Sequence, residues 1–111
     1  MQFTISDEAG TTAKIALAGK LDIAGAEVIA LPLATLAGGK KGVVVDLAGV
    51  TFLGSIGIRH LVSAAKTLTR KGGQLVLVNP TDAVKEVLVT SGVTDIMPIV
   101  ATESAAYELI G

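Results

Sequence analysis

The stretch from Val43 to Leu61 constrains the fold of this chain more than any other. It begins with three consecutive valines, Val43–Val45, and no polar residue interrupts the run before Asp46. Such a run is typical of a strand that is covered on both faces. A glycine-punctuated segment follows, and then Ser55 precedes an amphipathic helical pattern. A buried strand followed at once by a helix indicates an α/β domain.

Strand and helix patterns alternate along the whole chain in the order β β α β α β α β α. The predicted elements are, in chain order, strands and helices over 2–5, 14–18, 24–37, 43–45, 56–71, 74–78, 82–90, 96–100 and 102–110. Thr81 and Thr102 are the expected N-caps of the last two helices. Repeated strand–helix–strand units imply parallel pairing, whereas the first two strands form a hairpin with a turn at Asp7–Gly10.

The pattern therefore predicts a single α/β domain over residues 1–111. Its sheet is mixed and mostly parallel, with four to five strands, and about four helices accompany it. Phe3 and Ile5 alternate with polar residues, as in a half-buried strand.

Two segments have a less regular pattern. Pro32 lies inside the first predicted helix, where a proline costs roughly 3 kcal/mol, so we expect a kink or a break near Leu31. Residues 47–54 are predicted to form a turn-rich connection in which Val50 and Phe52 point inward.

Composition excludes several classes of function. The net charge is -1 and aromatic residues are 3% of the chain. The chain therefore has neither a basic stripe to neutralise phosphates nor aromatic side chains to stack on bases, and we expect no nucleic-acid binding. The chain has no cysteine and a single histidine, His60, which argues against a metal site. With 17% charged residues, the surface is expected to expose apolar patches that bind a partner or a second copy, so a homodimer is possible.

No segment predicts insertion into a membrane. The longest apolar segment, Ile23–Gly38, is short for a span and is interrupted by Glu27 and Pro32. The first ten residues lack the basic and apolar regions of a signal peptide. We therefore expect a cytoplasmic location.

Ser55 allows two compatible interpretations. As an N-cap, its hydroxyl would accept the amide of Gly57 or Ile58, which contributes roughly 1 kcal/mol. As a phosphate acceptor, it would place about two negative charges at the positive end of the helix dipole and on an apolar surface, which could abolish docking of a partner. The residues alone favour the cap, because serine is a common cap, but an unmodified cap can become a phosphorylation site.

A hydrolase is disfavoured. The segment Leu53–Gly57 has leucine where a nucleophile elbow needs glycine. His60 follows Ser55 by five residues and points roughly 140° around the helix from it. No third member of a triad is suggested, so we expect no catalytic residue.

Five segments together resemble STAS domains, and most closely the free-standing anti-sigma factor antagonists of bacteria. Gly19–Asp22 resembles the family's G-E-L-D, and Val44–Val50 resembles its buried strand and D-L-S-x-V turn. Phe52–Ile58 resembles F-M-D-S-S-G-L, Gly72–Leu75 resembles G-G-x-L, and Val84–Gly92 resembles the next helix with its S-G stop. The resemblance extends over nearly all of the chain.

The resemblance implies a regulatory binding module without enzymatic activity or a cofactor. In this family a partner kinase, which is the anti-sigma factor itself, phosphorylates the serine at the position of Ser55. The unphosphorylated antagonist binds the anti-sigma factor and frees the sigma factor, and phosphorylation prevents this binding. The partner-binding residues that the resemblance implies are Gly19, Asp22, Leu53, Gly54, Ser55, Ile56, Gly57 and Ile58.

Two positions depart from the family pattern. Gly54 stands where the family usually has aspartate, and Ile56 stands where it often has a second serine or threonine. STAS domains without a switch also exist. The alternative function is therefore a non-switching scaffold, as in stressosomes, or an accessory subunit of a membrane lipid transport system.

Overall fold

The computed structural model describes residues 1–6 and 10–111. The strands and helices of this described part follow the predicted order. They are β1 (Gln2–Ser6), β2 (Thr12–Leu21), α1 (Ile23–Gly39), β3 (Gly42–Leu53), α2 (Ser55–Arg70), β4 (Gln74–Val78), α3 (Asp82–Thr90), β5 (Ile99–Val100) and α4 (Glu103–Ile110). The turn predicted at Asp7–Gly10 lies outside the described residues except for Gly10.

The strands form one sheet in the order β1-β2-β3-β4-β5. β1 and β2 pair antiparallel, as the hairpin prediction requires. β2 with β3, β3 with β4, and β4 with β5 pair parallel. The predicted fold class, a mixed and mostly parallel sheet with four helices, is confirmed.

Helices cover both faces of the sheet. Ile29 of α1, Leu61 of α2 and Leu88 of α3 are fully buried in the main core, together with Val43 and Val45 of β3. Ala106 of α4 packs on the opposite face, where it meets Val44, Val76 and Val78. Coverage on both faces explains why Val43–Val45 is an unbroken apolar run.

An ion-pair cluster joins α4 to the sheet. Lys14 of β2 donates a hydrogen bond to Glu103 in the first turn of α4 and also lies 3.9 Å from Asp46 of β3. The hydrogen bond to Glu103 is the largest cause that raises the pKa of Lys14 above its ordinary 10.5, and both carboxylates add to it. Thr102 caps α4 and Thr81 caps α3, as predicted.

A kink or a break was predicted near Leu31, and the break is wrong, because the first helix is continuous through Pro32. The helix has apolar residues on its outer side as well as its inner side, because Ile29 and Leu33 are buried while Leu31 is 76% exposed. Packing of its inner face against the sheet and α2 compensates for the hydrogen bond that the proline cannot make.

The predicted turn-rich connection at 47–54 is in fact the second half of β3. Its pairing with β2 shifts between Ala16 and Ala18 and again between Gly19 and Lys20. At each shift β3 contains one extra residue, which reverses the alternation of buried and exposed side chains. Val50 is buried as predicted, but Phe52 is 50% exposed, and the prediction that it points inward is wrong.

β2 and β5 also differ from their predicted bounds. β2 extends to Leu21, because its last residues pair with the bulged half of β3. β5 contains only Ile99–Val100.

Within the described residues, no helix has the length and apolar composition that crossing a bilayer requires.

Replacing Pro32 with alanine tests how much strain α1 tolerates. Pro32→Ala should raise the free energy of unfolding by about 1–3 kcal/mol, because the variant restores a helical hydrogen bond. Urea denaturation measures the change. Thr35→Ala, at an exposed position of the same helix, is the control and should gain about 0.5 kcal/mol or less. A loss of stability in Pro32→Ala would instead show that packing of the proline ring dominates.

Candidate functional site

The carboxyl ends of β2 and β3 meet at one edge of the sheet, and a helix begins directly after each. The amide of Gly54 donates a hydrogen bond of 3.0 Å to the carbonyl of Leu21, which joins the two strand ends. Asp22 caps α1, since its Oδ1 accepts the amide of Gly25 at 2.9 Å. The N-termini of α1 and α2 are therefore neighbours.

Ser55 is not the N-cap of α2, contrary to the cap interpretation. Gly54 occupies the cap position, and no side chain caps the helix. Ser55 is the first helical residue and is exposed to solvent. Its hydroxyl is therefore not needed to begin the helix, which removes the structural reason for a serine at this position.

The backbone at Gly54 does not require glycine. Its φ of -94° and ψ of 170° are extended values that any residue adopts. A Cβ there would lie 3.3 Å from Cε2 of Phe52 and 3.5 Å from the carbonyl oxygen of Leu21, so a small shift of the Phe52 ring admits a side chain. The absence of the family aspartate is thus not imposed by the fold.

Gly57 has a different role, because it lies against β2. A Cβ at Gly57 would be 2.6 Å from Cγ of Leu21. Gly25, in the first turn of α1, is similarly close to the carbonyl oxygen of Lys20. Both glycines allow the first turn of their helix to pack directly on the end of β2.

Several residues that the resemblance implies for partner binding lie beneath the surface. Leu53 is 4% exposed and Gly57 is buried, so in the free chain both support the site from below. Ile58 is partly buried against the main core. Gly19 has a φ of 108°, which favours glycine, and it lies beside Met1 on the last part of β2.

A shallow depression of about 450 Å³ surrounds Ser55. We name this region the Ser55 surface, and its residues are Asp22, Ile23, Phe52, Gly54, Ser55, Ile56 and Arg59. The sequence predicted four of these seven residues, and it missed Ile23, Phe52 and Arg59. Ile23 is 72% exposed and Phe52 is 50% exposed, which makes much of the surface apolar.

The charges near Ser55 favour an anion. The first turn of α2 contains no acidic residue, and its free amides form the positive end of the helix dipole. Arg59 is exposed four residues after Ser55, which is the spacing that brings side chains together on one helix face. The carboxylate of Asp22 accepts the amide of Gly25 in its own helix cap.

His60 lies away from this surface. It lines a small groove between α1 and α2 with Ala30, Ala34 and Ser63. Among the described residues, no three histidine or acidic side chains cluster in a way that could bind a metal ion.

Comparison with known proteins identifies relatives over most of the chain. The family model for the STAS domain matches residues 5–106. A Bordetella bronchiseptica protein described as a candidate anti-sigma factor antagonist, BtrV, is 34% identical over 91 residues. That match covers 81% of this chain and 78% of the relative.

Solved structures show the same fold. The unphosphorylated form of the anti-sigma factor antagonist SpoIIAA has a TM-score of 0.83 at 25% identity, over 98% of this chain and 96% of that one. The phosphorylated form of Bacillus SpoIIAA, described as a cell fate determinant, has a TM-score of 0.77 at 24% identity, over 99% and 100% of the two chains. An anti-sigma factor antagonist of Mycobacterium paratuberculosis has a TM-score of 0.87 at 22% identity, over 98% and 92%.

Restoring an acidic residue at the cap position tests the local geometry. Gly54→Asp should raise the free energy of unfolding by a few tenths to about 1 kcal/mol, because the carboxylate accepts an amide in the first turn of α2. Gly57→Ala is the matched comparison and should lower it by about 1–3 kcal/mol, because its methyl group meets Leu21. Chemical denaturation distinguishes the two variants. A clear loss of stability in Gly54→Asp would mean that the Phe52 ring cannot shift.

Proposed function

Because this chain belongs to the STAS domain family, we propose that it is an anti-sigma factor antagonist whose binding is switched by phosphorylation. In this proposal the unmodified Ser55 surface binds an anti-sigma factor that is also a serine kinase. The kinase transfers phosphate to Ser55, and the phosphorylated chain no longer binds. The observation that carries the proposal is the exposed Ser55 at the start of a helix without a side-chain cap, on a surface that also contains exposed Ile23 and Phe52.

The apolar part of the Ser55 surface supports docking of a protein partner. Ile23 and Phe52 are large and exposed, and they flank the first turn of α2. Exposed apolar side chains gathered around a concave surface are typical of protein interaction sites. A partner that covers them removes this area from water, which supplies much of the binding free energy.

Phosphorylation would oppose that docking directly. A phosphoserine brings about two negative charges, which remain hydrated in the free protein. A partner seated on Ile23 and Phe52 would have to desolvate these charges. Because taking these charges out of water costs several kcal/mol even beside one arginine, binding would weaken sharply.

Ser55 is also well placed to receive the phosphate. As the first residue of α2, it projects from the helix end into solvent, so a kinase can reach its hydroxyl without unfolding the helix. The hydroxyl of Ser55 is not engaged in capping the helix. The residue before it carries no carboxylate, because Gly54 replaces the family aspartate. The free amides of the first turn and Arg59 favour the charged product.

Acidic and neutral replacements of Ser55 test the switch. Capture from host lysate should recover a kinase-type anti-sigma factor with the wild type and with Ser55→Ala. Ser55→Glu should lose at least about tenfold in binding, because it places a charge within the docking surface. Ser63→Glu, an exposed serine on the same helix, is the control and should bind like the wild type.

The same captures distinguish the alternative function. Equal recovery of a membrane transport complex or of other STAS proteins with wild type and Ser55→Glu would contradict the switch. It would instead favour a constitutive scaffold or transporter subunit. Incubation with the captured kinase and ATP gives a second readout, since phosphate should appear in the wild type and be absent from Ser55→Ala.

Arg59 provides a test of the phosphorylated state. An ion pair at this helical spacing contributes about 0.3–0.5 kcal/mol, which corresponds to roughly 0.2–0.4 of a pH unit in the pKa of the phosphate. The phosphate on Ser55 should therefore titrate at a lower pH in the wild type than in Arg59→Gln. Phosphorus NMR of the phosphorylated proteins measures this difference.

Arg70→Gln is the control for that titration, because Arg70 lies in the last turn of the same helix. It removes the same charge at a distance and should leave the phosphate pKa unchanged. Identical titrations of wild type and Arg59→Gln would show that Arg59 does not contact the phosphate.

A further inference from the structure

The two edges of the sheet differ in how they are protected. β5 contains two residues and directly follows Pro98, so it offers little backbone to another strand. β1 contains five residues, Gln2–Ser6, and none of them is charged or a proline. Its pairing with β2 is continuous from Gln2 to Ser6, with no bulge to bend the edge away. β1 is therefore an open edge that can accept a further strand.

Apolar side chains accompany this open edge. Phe3 pairs with Leu17 and Ile5 pairs with Ile15, so both point to the same face of the sheet as the main core. They are nevertheless 36% and 43% exposed, because nothing in the described part of the chain continues the sheet beyond β1.

The outer side of α1 extends this apolar region. Ala30 and Ala34 line the groove between α1 and α2. Val28 lies two residues before Ala30, and Pro32 lies two residues before Ala34. Each is therefore roughly 200° around the helix from that alanine, and so faces away from α2 and toward the β1 side. Val28 is 44% exposed. We name Phe3, Ile5, Val28 and Pro32 the β1 ledge, and it contains no charge.

We propose that the β1 edge binds a second copy of this chain, with the two β1 strands antiparallel and a two-fold axis through Thr4. This register places Phe3 opposite Ile5 twice, Gln2 opposite Ser6 twice, and Thr4 opposite its own counterpart. Pairs of an aromatic and a β-branched residue stabilise antiparallel strands, and no like charges oppose one another. The strand is thus complementary to itself.

The same symmetry brings the two β1 ledges together. In an antiparallel pair, opposing residues point to the same face, so both α1 helices lie on one side of the joined sheet. The four side chains Phe3 and Ile5 then lie between Val28 and Pro32 of one copy and of the other. Only a strand with the same residues reproduces the pairing of Phe3 with Ile5 on both sides of the two-fold axis, which favours a second copy as the occupant.

A stable protein interface buries about 1,200 Å² or more. The proposed interface is smaller, because it involves only a five-residue strand and the β1 ledge. We therefore expect a weak dimer, populated at concentrations on the order of 100 µM and above. It does not involve the Ser55 surface, and so it is independent of the phosphorylation switch.

A charge-swap experiment tests the register. Sedimentation velocity of the wild type from about 10 µM to 1 mM should show increasing dimer. Thr4→Lys and Thr4→Glu should each remain monomeric, because the two-fold axis places like charges face to face. An equimolar mixture of Thr4→Lys and Thr4→Glu should dimerise at least as well as the wild type. Thr51→Lys, at an exposed position of β3, is the control and should dimerise normally.

A cysteine at position 4 gives an independent readout. The chain has no cysteine, so Thr4→Cys introduces a single thiol. Opposing residues of antiparallel strands have Cα atoms about 4.5–5.5 Å apart, within the range that a disulfide spans. Thr4→Cys should form a disulfide-linked dimer at least about tenfold faster than Thr51→Cys.

Four results would overturn the proposal. A wild type that remains monomeric at 1 mM would exclude the dimer. Failure of the Thr4→Lys and Thr4→Glu mixture to associate, or equal cross-linking of Thr4→Cys and Thr51→Cys, would exclude this register. Association through β1 with a strand of a different protein, in place of a second copy, would also contradict it.

Discussion

The hydrogen bond from the amide of Gly54 to the carbonyl of Leu21 is the interaction on which the site depends. It is the last link in the parallel pairing of β2 and β3. α2 begins immediately after Gly54, and α1 begins after Leu21 and the cap residue Asp22. The side chain of Leu21 is buried under Gly57, so the same residue also sets how closely α2 approaches β2. The spacing of Asp22 and Ser55, which lie far apart in the sequence, follows from this one register.

The parts of the fold with a regular local pattern could be predicted from the sequence. Val43–Val45 predicted a strand covered on both faces, and Thr81 and Thr102 predicted the starts of the last two helices. The second half of β3 could not be predicted, because its bulges arise from pairing with β2 and change which side of the strand Phe52 occupies. The break predicted at Pro32 was wrong for a related reason, since packing of α1 against the sheet outweighed the local cost of the proline.

The candidate site shows the same division. Asp22 and Ser55 were predicted through the resemblance to STAS domains, and the structure brings them to one surface. Ile23 and Phe52 were missed, because an exposed apolar residue has no signature until its neighbours are known. Arg59 could have been found from its helical spacing to Ser55. Together with Gly54 in place of the family aspartate, Arg59 makes the surroundings of Ser55 favourable to the anion that phosphorylation would create.

The most direct test of this account compares the affinity of the captured anti-sigma factor for two forms of one protein. The unmodified chain and the chain phosphorylated at Ser55 would be titrated side by side by isothermal calorimetry. The account predicts that phosphorylation raises the dissociation constant by about tenfold or more, because the phosphate must be desolvated beside Ile23 and Phe52. Equal dissociation constants for the two forms would contradict the central claim that Ser55 switches binding.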